Sequence, residues 1–474
     1  MSQELVGGRS LLGMCLGNLV EFYDFAVFGA SAAVLALVVT AGQGGLTSVF
    51  VVLAASLLVR PFGAVVVGRV SDRVGRRAPF LAMTLLTCTV TALVGLLPSA
   101  ARAGAYAALG LALLRLTQSF CTGGETSSSV TYIFESATPA RRGLIGGFHL
   151  ASAAGGMALG LGAVLAVDVA LAPAQLLAWG WRLPFLAAVP LALVVLGIRR
   201  RLRESKEFVR ARSIPSPRQA DGDSPRQARD GLTLTVVTRL IRERPRTVLS
   251  GMLLGGAFGV TVTLWFVYVP AYLLATGRAS AAAALGPAGA GLLATAAFAP
   301  LAGALSDRVG RPPLLAGGCI ALGLLWPISL PAVLAGTSWV TFAVASLGVG
   351  AALSGFVLPS YLPEAFPIAD RATGVGLTYG VGSGVFGGVA PLLAGWLLAQ
   401  HRLPTIALYP VLCAVAAALC VVWSVRSPDP ATVPGALLDG AGAAGSNPAP
   451  ARGLRSPRLG WSERDANIRA TEVD

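Results

Sequence analysis

The sequence predicts an all-α membrane protein of about twelve transmembrane helices, built as two six-helix pseudo-repeats around a central cavity. Three observations carry this. Of 474 residues, 55% are hydrophobic and 12% charged, about half the roughly 25% charged share of a globular domain. The apolar residues fall in runs long enough to cross a ~30 Å hydrocarbon core as helices. A signature loop recurs in the second half of the chain.

Composition excludes a cytosolic enzyme, a disordered protein and a disulfide scaffold, because a soluble chain of this length needs far more polar surface. The formal charge of +14 does not point to nucleic acid, since the basic residues sit between apolar runs. The six cysteines lie inside those runs without a CxxC pair and read as small hydrophobes. With only two histidines, His149 and His401, neither a metal nor a cofactor is expected. The partner that composition implies is the lipid bilayer.

The runs fall at 11–40, 46–70, 78–98, 103–135, 143–171 and 181–198, then at 248–276, 281–305, 313–335, 338–362, 372–399 and 403–425. The first is too long for a signal peptide and contains Glu21 and Asp24, so it is read as a retained span. With both termini inside, thirty Lys and Arg fall on inner segments against four on outer loops, a strong positive-inside bias. This gives an N-terminal bundle over 1–198, a cytoplasmic middle loop over 199–247, a C-terminal bundle over 248–426 and a disordered cytoplasmic tail over 427–474. The loop opens on a basic stretch that reads as a short surface helix and continues as a Pro- and Ser-rich linker over 213–230.

The halves repeat. Gly68-Arg69-Val70-Ser71-Asp72-Arg73-Val74-Gly75-Arg76 returns as Gly303-Ala304-Leu305-Ser306-Asp307-Arg308-Val309-Gly310-Arg311. Tyr132, Glu135 and Gly143 return as Tyr361, Glu364 and Gly374 at nearly the same offset. Duplicated six-span units are the arrangement of many secondary transporters.

These loops resemble the signature of the major facilitator superfamily. Gly17-Asn18-Leu19-Val20-Glu21-Phe22-Tyr23-Asp24-Phe25, Arg60-Pro61-Phe62-Gly63, the segment Arg115 to Glu125 and Trp181-Arg182-Leu183-Pro184-Phe185 are similar to its metabolite:proton symporter branch. That branch includes carriers of α-ketoglutarate, citrate, shikimate and proline or betaine. Phe22 stands where Trp is usual, Ser119 where Gly is usual, and Cys121 where a small residue is usual. The resemblance implies alternating access in the cytoplasmic membrane and proton-coupled symport of a small polar metabolite, an organic acid or a zwitterion. The alternative is proton-coupled export or antiport of amphipathic compounds on the same fold.

Glu21 and Asp24 share a helix face, roughly 16–21 Å from the inner end of their span. A carboxylate at that depth is costly unless paired, hydrated or protonated, so both are candidate proton carriers, with a permanent ion pair as the bland reading. Arg60 and Arg115 are the basic residues deep in spans, and each guanidinium offers a planar fork of donors suited to a carboxylate. They either bind substrate or are neutralised internally by Glu21, Asp24 and Glu125. Gln118 shares the face of Arg115. Glu125 either pairs with an inner arginine or takes part in proton transfer. His149 is expected to be a packed or interface histidine, with a proton relay as the alternative. Tyr23, Trp265, Tyr268 and Tyr379 are candidate wall residues of the substrate path.

At the inner surface, Asp72, Arg73, Arg76, Glu135 and Arg142 form one candidate gating set, and Asp307, Arg308, Arg311 and Glu364 the second. The resemblance ties these loops to gating. Physically, Asp72 can meet the positive N-terminus of a nearby helix and an arginine of the next loop. The bland reading is a topological anchor. Gly376, Gly380, Gly384 and Gly388, with Gly156 and Gly160, form small-residue stripes that allow close helix approach. The resemblance places spans five and eleven at the interface between halves.

Overall fold

The computed structural model describes residues 8–40, 45–199, 233–335 and 338–426. Ten helices among them are long and apolar enough to cross a membrane. Two more complete the twelve. Ala105–Ser136 has the length but is diluted by Arg115, Gln118, Glu125 and a run of Thr and Ser. Leu183–Arg199 is shorter.

In chain order the spans are Gly8–Ala30, Gly45–Val74, Arg77–Gly95, Ala105–Ser136, Arg142–Ala170 and Leu183–Arg199. There follow Pro245–Ala275, Ala281–Val309, Arg311–Leu334, Trp339–Glu364, Ile368–Ala399 and Leu408–Arg426. We number them one to twelve. The first apolar run is interrupted at Ser31, after which Ala32–Val38 forms a separate short helix. Span ten breaks between Ser354 and Leu358. Span seven carries a π-helical turn at Leu264–Tyr268, and span eleven two, at Gly376–Gly380 and Gly382–Phe386. Hydropathy does not register such turns, because they change the hydrogen-bond ladder without changing composition.

Packing shows the duplication. Span one packs on five, two on four and three on six; seven packs on eleven, eight on ten and nine on twelve. The halves meet where span two lies on span eleven and where span five lies on span eight. A Cβ on Gly376 would come 2.4 Å from the Ala64 carbonyl oxygen, and one on Gly384 2.6 Å from that of Leu57. The span-eleven stripe therefore seats span two. The Gly156 and Gly160 stripe faces the other way, against the Leu19 and Tyr23 carbonyls of span one, inside its own half. In span five the tight contacts with span eight are at Gly143 and Gly147.

The repeated loops end their spans in the same manner. Gly75 has φ 112° and Gly310 φ 91°, a region in which L side chains are strained. The basic stretch after Arg199, the linker over 213–230 and the tail over 427–474 lie outside the described residues. Just before span seven, Thr233–Glu243 forms a helix that run-by-run reading of the middle loop did not anticipate. Val236 and Leu240 on it are buried against Phe366 and Leu377.

Candidate functional site

Span one carries Glu21 and Asp24 into the N-terminal half, where each meets one arginine. Glu21 lies 3.5 Å from Arg60 and accepts a hydrogen bond of 3.1 Å from the Thr126 hydroxyl. Asp24 lies 2.9 Å from Arg115. Arg115 also donates to the Gln118 carbonyl oxygen, and the Gln118 amide donates to Thr91 at 2.7 Å. The Phe28 ring lies 4.0 Å from the Arg115 guanidinium. All four charges are buried, and at that depth each is sustained by its partner. The two pairs differ in tightness: Asp24–Arg115 is closed and supported by an amide and a ring, whereas Glu21–Arg60 is longer and shares its acid with a hydroxyl.

A central cavity of ≈ 30 Å³ lies between the halves. Its polar lining is Thr126, His149 and Tyr379; Phe22, Phe258 and Phe356 supply aromatic walls. A narrow cleft beside it brings together Arg60, Thr126, Ser127 and Tyr379. Glu21 is thus one side chain removed from the cavity, through Thr126, while Asp24, Arg115 and Gln118 face the interior of the N-terminal half. Glu125 is buried in span four.

The other expected wall residues are dispersed. The Tyr23 hydroxyl donates to the Pro184 carbonyl at 2.8 Å, toward span six. The Trp265 indole donates to Ser346 at 3.0 Å and packs edge-on against Trp326 at 5.2 Å, within the C-terminal half. Tyr268 crosses between halves, its ring 5.0 Å from Phe50. Tyr379 alone of the four lines the central cavity. Sequence reading missed the aromatic walls and read His149 as a packed or interface side chain without placing it at the cavity. Its Nε2 is 3.3 Å from the Ser129 hydroxyl.

At the arginine-rich end the candidate gating residues converge. Asp72 accepts from the backbone N–H of Ala372 at 3.2 Å and of Thr373 at 2.9 Å, and from the Thr373 hydroxyl at 2.6 Å. These are the first-turn donors of the α-helical part of span eleven, which begins at Arg371, so the carboxylate sits at the positive end of a helix. Arg76 lies 2.6 Å from Asp72 and 3.0 Å from Glu135, and Glu135 lies 3.2 Å from Arg371. Burial disfavours the charge on Arg76, yet Asp72 and Glu135 outweigh it and raise the guanidinium above its ordinary pKa. Arg142 lies over the Phe134 ring at 4.1 Å.

The second copy repeats the geometry with the halves exchanged. Asp307 accepts from the backbone N–H of Gly143 at 2.7 Å and of Leu144 at 2.9 Å, at the start of span five. Arg311 lies 2.9 Å from Asp307 and 3.4 Å from Glu364. Arg73 and Arg308 are exposed. A third cluster was not foreseen. Asp370 lies 3.6 Å from Arg69 of span two and pairs with Arg239 of the helix before span seven.

The sequence profile of the Major Facilitator Superfamily matches residues 14–379 and 279–463. The chain is 32% identical over 432 residues to the ectoine/proline transporter ProP of Corynebacterium glutamicum, across 88% of this chain and 84% of that one. It is 28% identical to the citrate-proton symporter of Klebsiella pneumoniae, across 82% and 85%. Among solved structures it is similar to the xylose transporter XylE of E. coli in a partially occluded inward-open conformation. The TM-score there is 0.68 at 19% identity, across 90% of this chain and 99% of that one. At that identity the likeness concerns the fold alone.

Proposed function

Because this chain belongs to the Major Facilitator Superfamily, a family of membrane transporters and not of enzymes, we propose that it is a proton-coupled symporter of a small polar metabolite. The cargo is an organic acid or a zwitterion, carried across the cytoplasmic membrane by alternating access. The observation that carries the proposal is the pairing of deep charges: Glu21 with Arg60, one side chain removed from a cavity that both halves line, and Asp24 with Arg115 farther into the N-terminal half. A carboxylate held there by one loosely placed arginine can take a proton when that arginine turns to a substrate anion. The Glu21 pair has this character, and Asp24–Arg115 that of a permanent brace.

The arginine-rich end is assigned to the cytoplasm by the positive-inside bias, with both termini on that side. On this assignment the structure is closed toward the cytoplasm, because Asp72 and Asp307 each cap a helix of the opposite half. Opening separates the caps from the helix ends, so the two loops work as gates. The bundles over 1–198 and 248–426 are the rocking bodies, and the monomer is the working unit. Relatives named for ectoine and proline, and for citrate with protons, support this class of cargo.

Export of amphipathic compounds gains one supporting observation, the mostly apolar wall of the central cavity; the two buried ion pairs favour symport. Uptake into proteoliposomes decides. Accumulation that requires an inward proton gradient and collapses with a protonophore supports symport. Full accumulation with the protonophore present and no other ion gradient overturns it.

A further inference from the structure

At the end opposite the repeated loops, a cavity of ≈ 190 Å³ lies between the halves, against ≈ 30 Å³ for the central one. The charge bias assigns this end to the outside. Ser31, at the end of span one, and Asp168 of span five supply its polar side chains. Val167 and Trp181 continue the wall on the N-terminal side, and Leu274 and Leu285 close it from the C-terminal half. An apolar cavity of ~150 Å³ takes up a molecule the size of benzene, so this one has room for a ligand of about six heavy atoms.

The fold uses neither polar group. Ser31 is 3% exposed and stands before the short helix Ala32–Val38 without capping it. Its hydroxyl has no hydrogen-bond partner among the described residues, and a buried polar group in that state is costly until a ligand satisfies it. Asp168 lies in the last turn of span five, where the negative end of the helix disfavours an acid. It is the single acidic residue of the outer segments, and it forms no ion pair among the described residues. Arg182 is engaged elsewhere: its guanidinium lies 4.3 Å from the Trp181 ring and donates to the carbonyls of Ala178 at 3.1 Å and Leu97 at 2.9 Å. The Trp181 nitrogen is itself fully buried, so the indole meets the cavity through ring carbons. A carboxylate and a hydroxyl thus offer acceptors, the helix end adds negative charge, and the rest of the wall is apolar.

We propose that this cavity is a site for a small primary alkylammonium ion, separate from the cargo site, and that its occupation holds the protein closed at the arginine-rich end. The ammonium donates to Asp168 and Ser31, and the alkyl body lies against Val167, Trp181, Leu274 and Leu285. A hard metal ion fits poorly, because it needs about six oxygen ligands, and one carboxylate with one hydroxyl does not supply them. The link to the gates follows from the walls, which belong to both halves. This part rests on the transport reading above: rocking that parts the halves at the arginine-rich end brings their outer ends together and closes the cavity. A ligand that fits one form and not the other shifts the population toward the form it fits.

Labelled isoamylammonium serves as the probe in equilibrium binding to the purified full-length protein, with isoamyl alcohol as its neutral counterpart of the same shape. The ammonium is expected to bind and the alcohol to compete about tenfold more weakly or worse. Asp168→Asn should weaken ammonium binding about tenfold or more, and Ser31→Ala a few-fold. Saturating isoamylammonium should slow the labelling of cysteines placed on the arginine-rich side of the central cavity several-fold in the parent, and not in Asp168→Asn. No binding, equal competition by the alcohol, displacement by sodium ions at the same concentration, or unchanged affinity in Asp168→Asn overturns the site. Binding of the expected pattern with unchanged labelling overturns the link to the gates. The binding arm needs no transport: Asp168-dependent binding without proton-driven accumulation leaves the site standing and overturns symport, whereas proton-driven accumulation without Asp168-dependent binding does the reverse.

Discussion

Asp72 and Thr373 stand 301 positions apart in sequence and meet through two hydrogen bonds to one carboxylate oxygen, 2.9 Å from the backbone N–H and 2.6 Å from the hydroxyl. The contact joins the last turn of span two to the first turn of span eleven, and so one half to the other. Asp307 makes the reciprocal contact with Gly143 and Leu144. Each half thus stabilises a helix terminus belonging to its partner.

Asp72→Asn should impair transport while leaving insertion and substrate binding largely intact. The substitution keeps shape and removes the charge at a helix N-terminus, worth up to ~2 kcal/mol when partly buried. A change of ~2 kcal/mol shifts a two-state ratio about 30-fold. The form open at the arginine-rich end gains population, and cysteines placed on that side of the cavity should label faster. Asp307→Asn should act in the same direction more weakly. Asp307 takes two backbone donors and Arg311, whose second acid Glu364 is half exposed, whereas Asp72 takes three donors and Arg76, whose second acid Glu135 is fully buried. Transport at the parental rate with unchanged labelling in Asp72→Asn would reduce the loop to a topological anchor.

Glu21→Gln should uncouple transport. The amide preserves shape and can still take the Thr126 hydrogen bond, but it carries no titrating proton. Proton-driven accumulation in proteoliposomes should fall to the level of simple equilibration. Exchange of labelled for unlabelled substrate, which needs no net proton movement, should persist. Accumulation equal to the parent would move the proton-carrying role to Asp24 or Glu125.

Asp24 and Arg115 should behave as a structural pair. Arg115→Gln leaves a buried carboxylate without its cation, and breaking a buried pair costs about 3–5 kcal/mol. The double variant Asp24→Asn with Arg115→Gln removes both charges together and should recover most of that loss. Thermal unfolding of the two single variants and the double variant in detergent gives the coupling. Additive losses would mean that the two residues do not depend on one another.

How much of this was legible in sequence depends on whether a residue's partner is local or repeated. Asp72 and Asp307 were legible because the loop occurs twice and a carboxylate beside a helix end has a physical role. The ion pairs of Glu21 and Asp24 were legible only as one alternative, because buried charges at one depth tend to find each other, while which arginine each acid meets was not. Asp370 was not, since its partners Arg69 and Arg239 lie on two different elements, and Arg69, though inside the repeated loop, answers Ala304 in the second copy, so the repeat marks no charge there. The glycine stripe of span five was visible as a close approach, but periodicity does not say which neighbour approaches, and Gly156 and Gly160 turned out to face span one. His149 was weighed as one histidine on an apolar helix. Its place at the cavity depends on how the halves dock, which no local pattern encodes. The π-helical turns of spans seven and eleven left no trace in composition.

Asp370 ties three elements together, and substitutions around it should act in opposite directions. Arg69 moves with the N-terminal half, whereas Arg239 sits on a helix fastened to the C-terminal half by Val236 and Leu240 and followed by Arg244, which donates to the Ala365 carbonyl at 3.0 Å. When the halves part at this end, Asp370 loses Arg69 and retains Arg239. The retained arginine lowers the cost of opening, because the carboxylate is not left unpaired. Arg239→Ala should therefore slow opening and reduce cysteine labelling at the arginine-rich end. Arg239 is 39% exposed, so the effect should be about 0.5–1 kcal/mol, or a few-fold in rate. Asp370→Asn removes the interaction that opening must break and should increase labelling instead. Labelling rates measured on both variants in proteoliposomes decide the matter: changes of the same sign would show that Arg239 braces the closed form and does not take over the charge of Asp370.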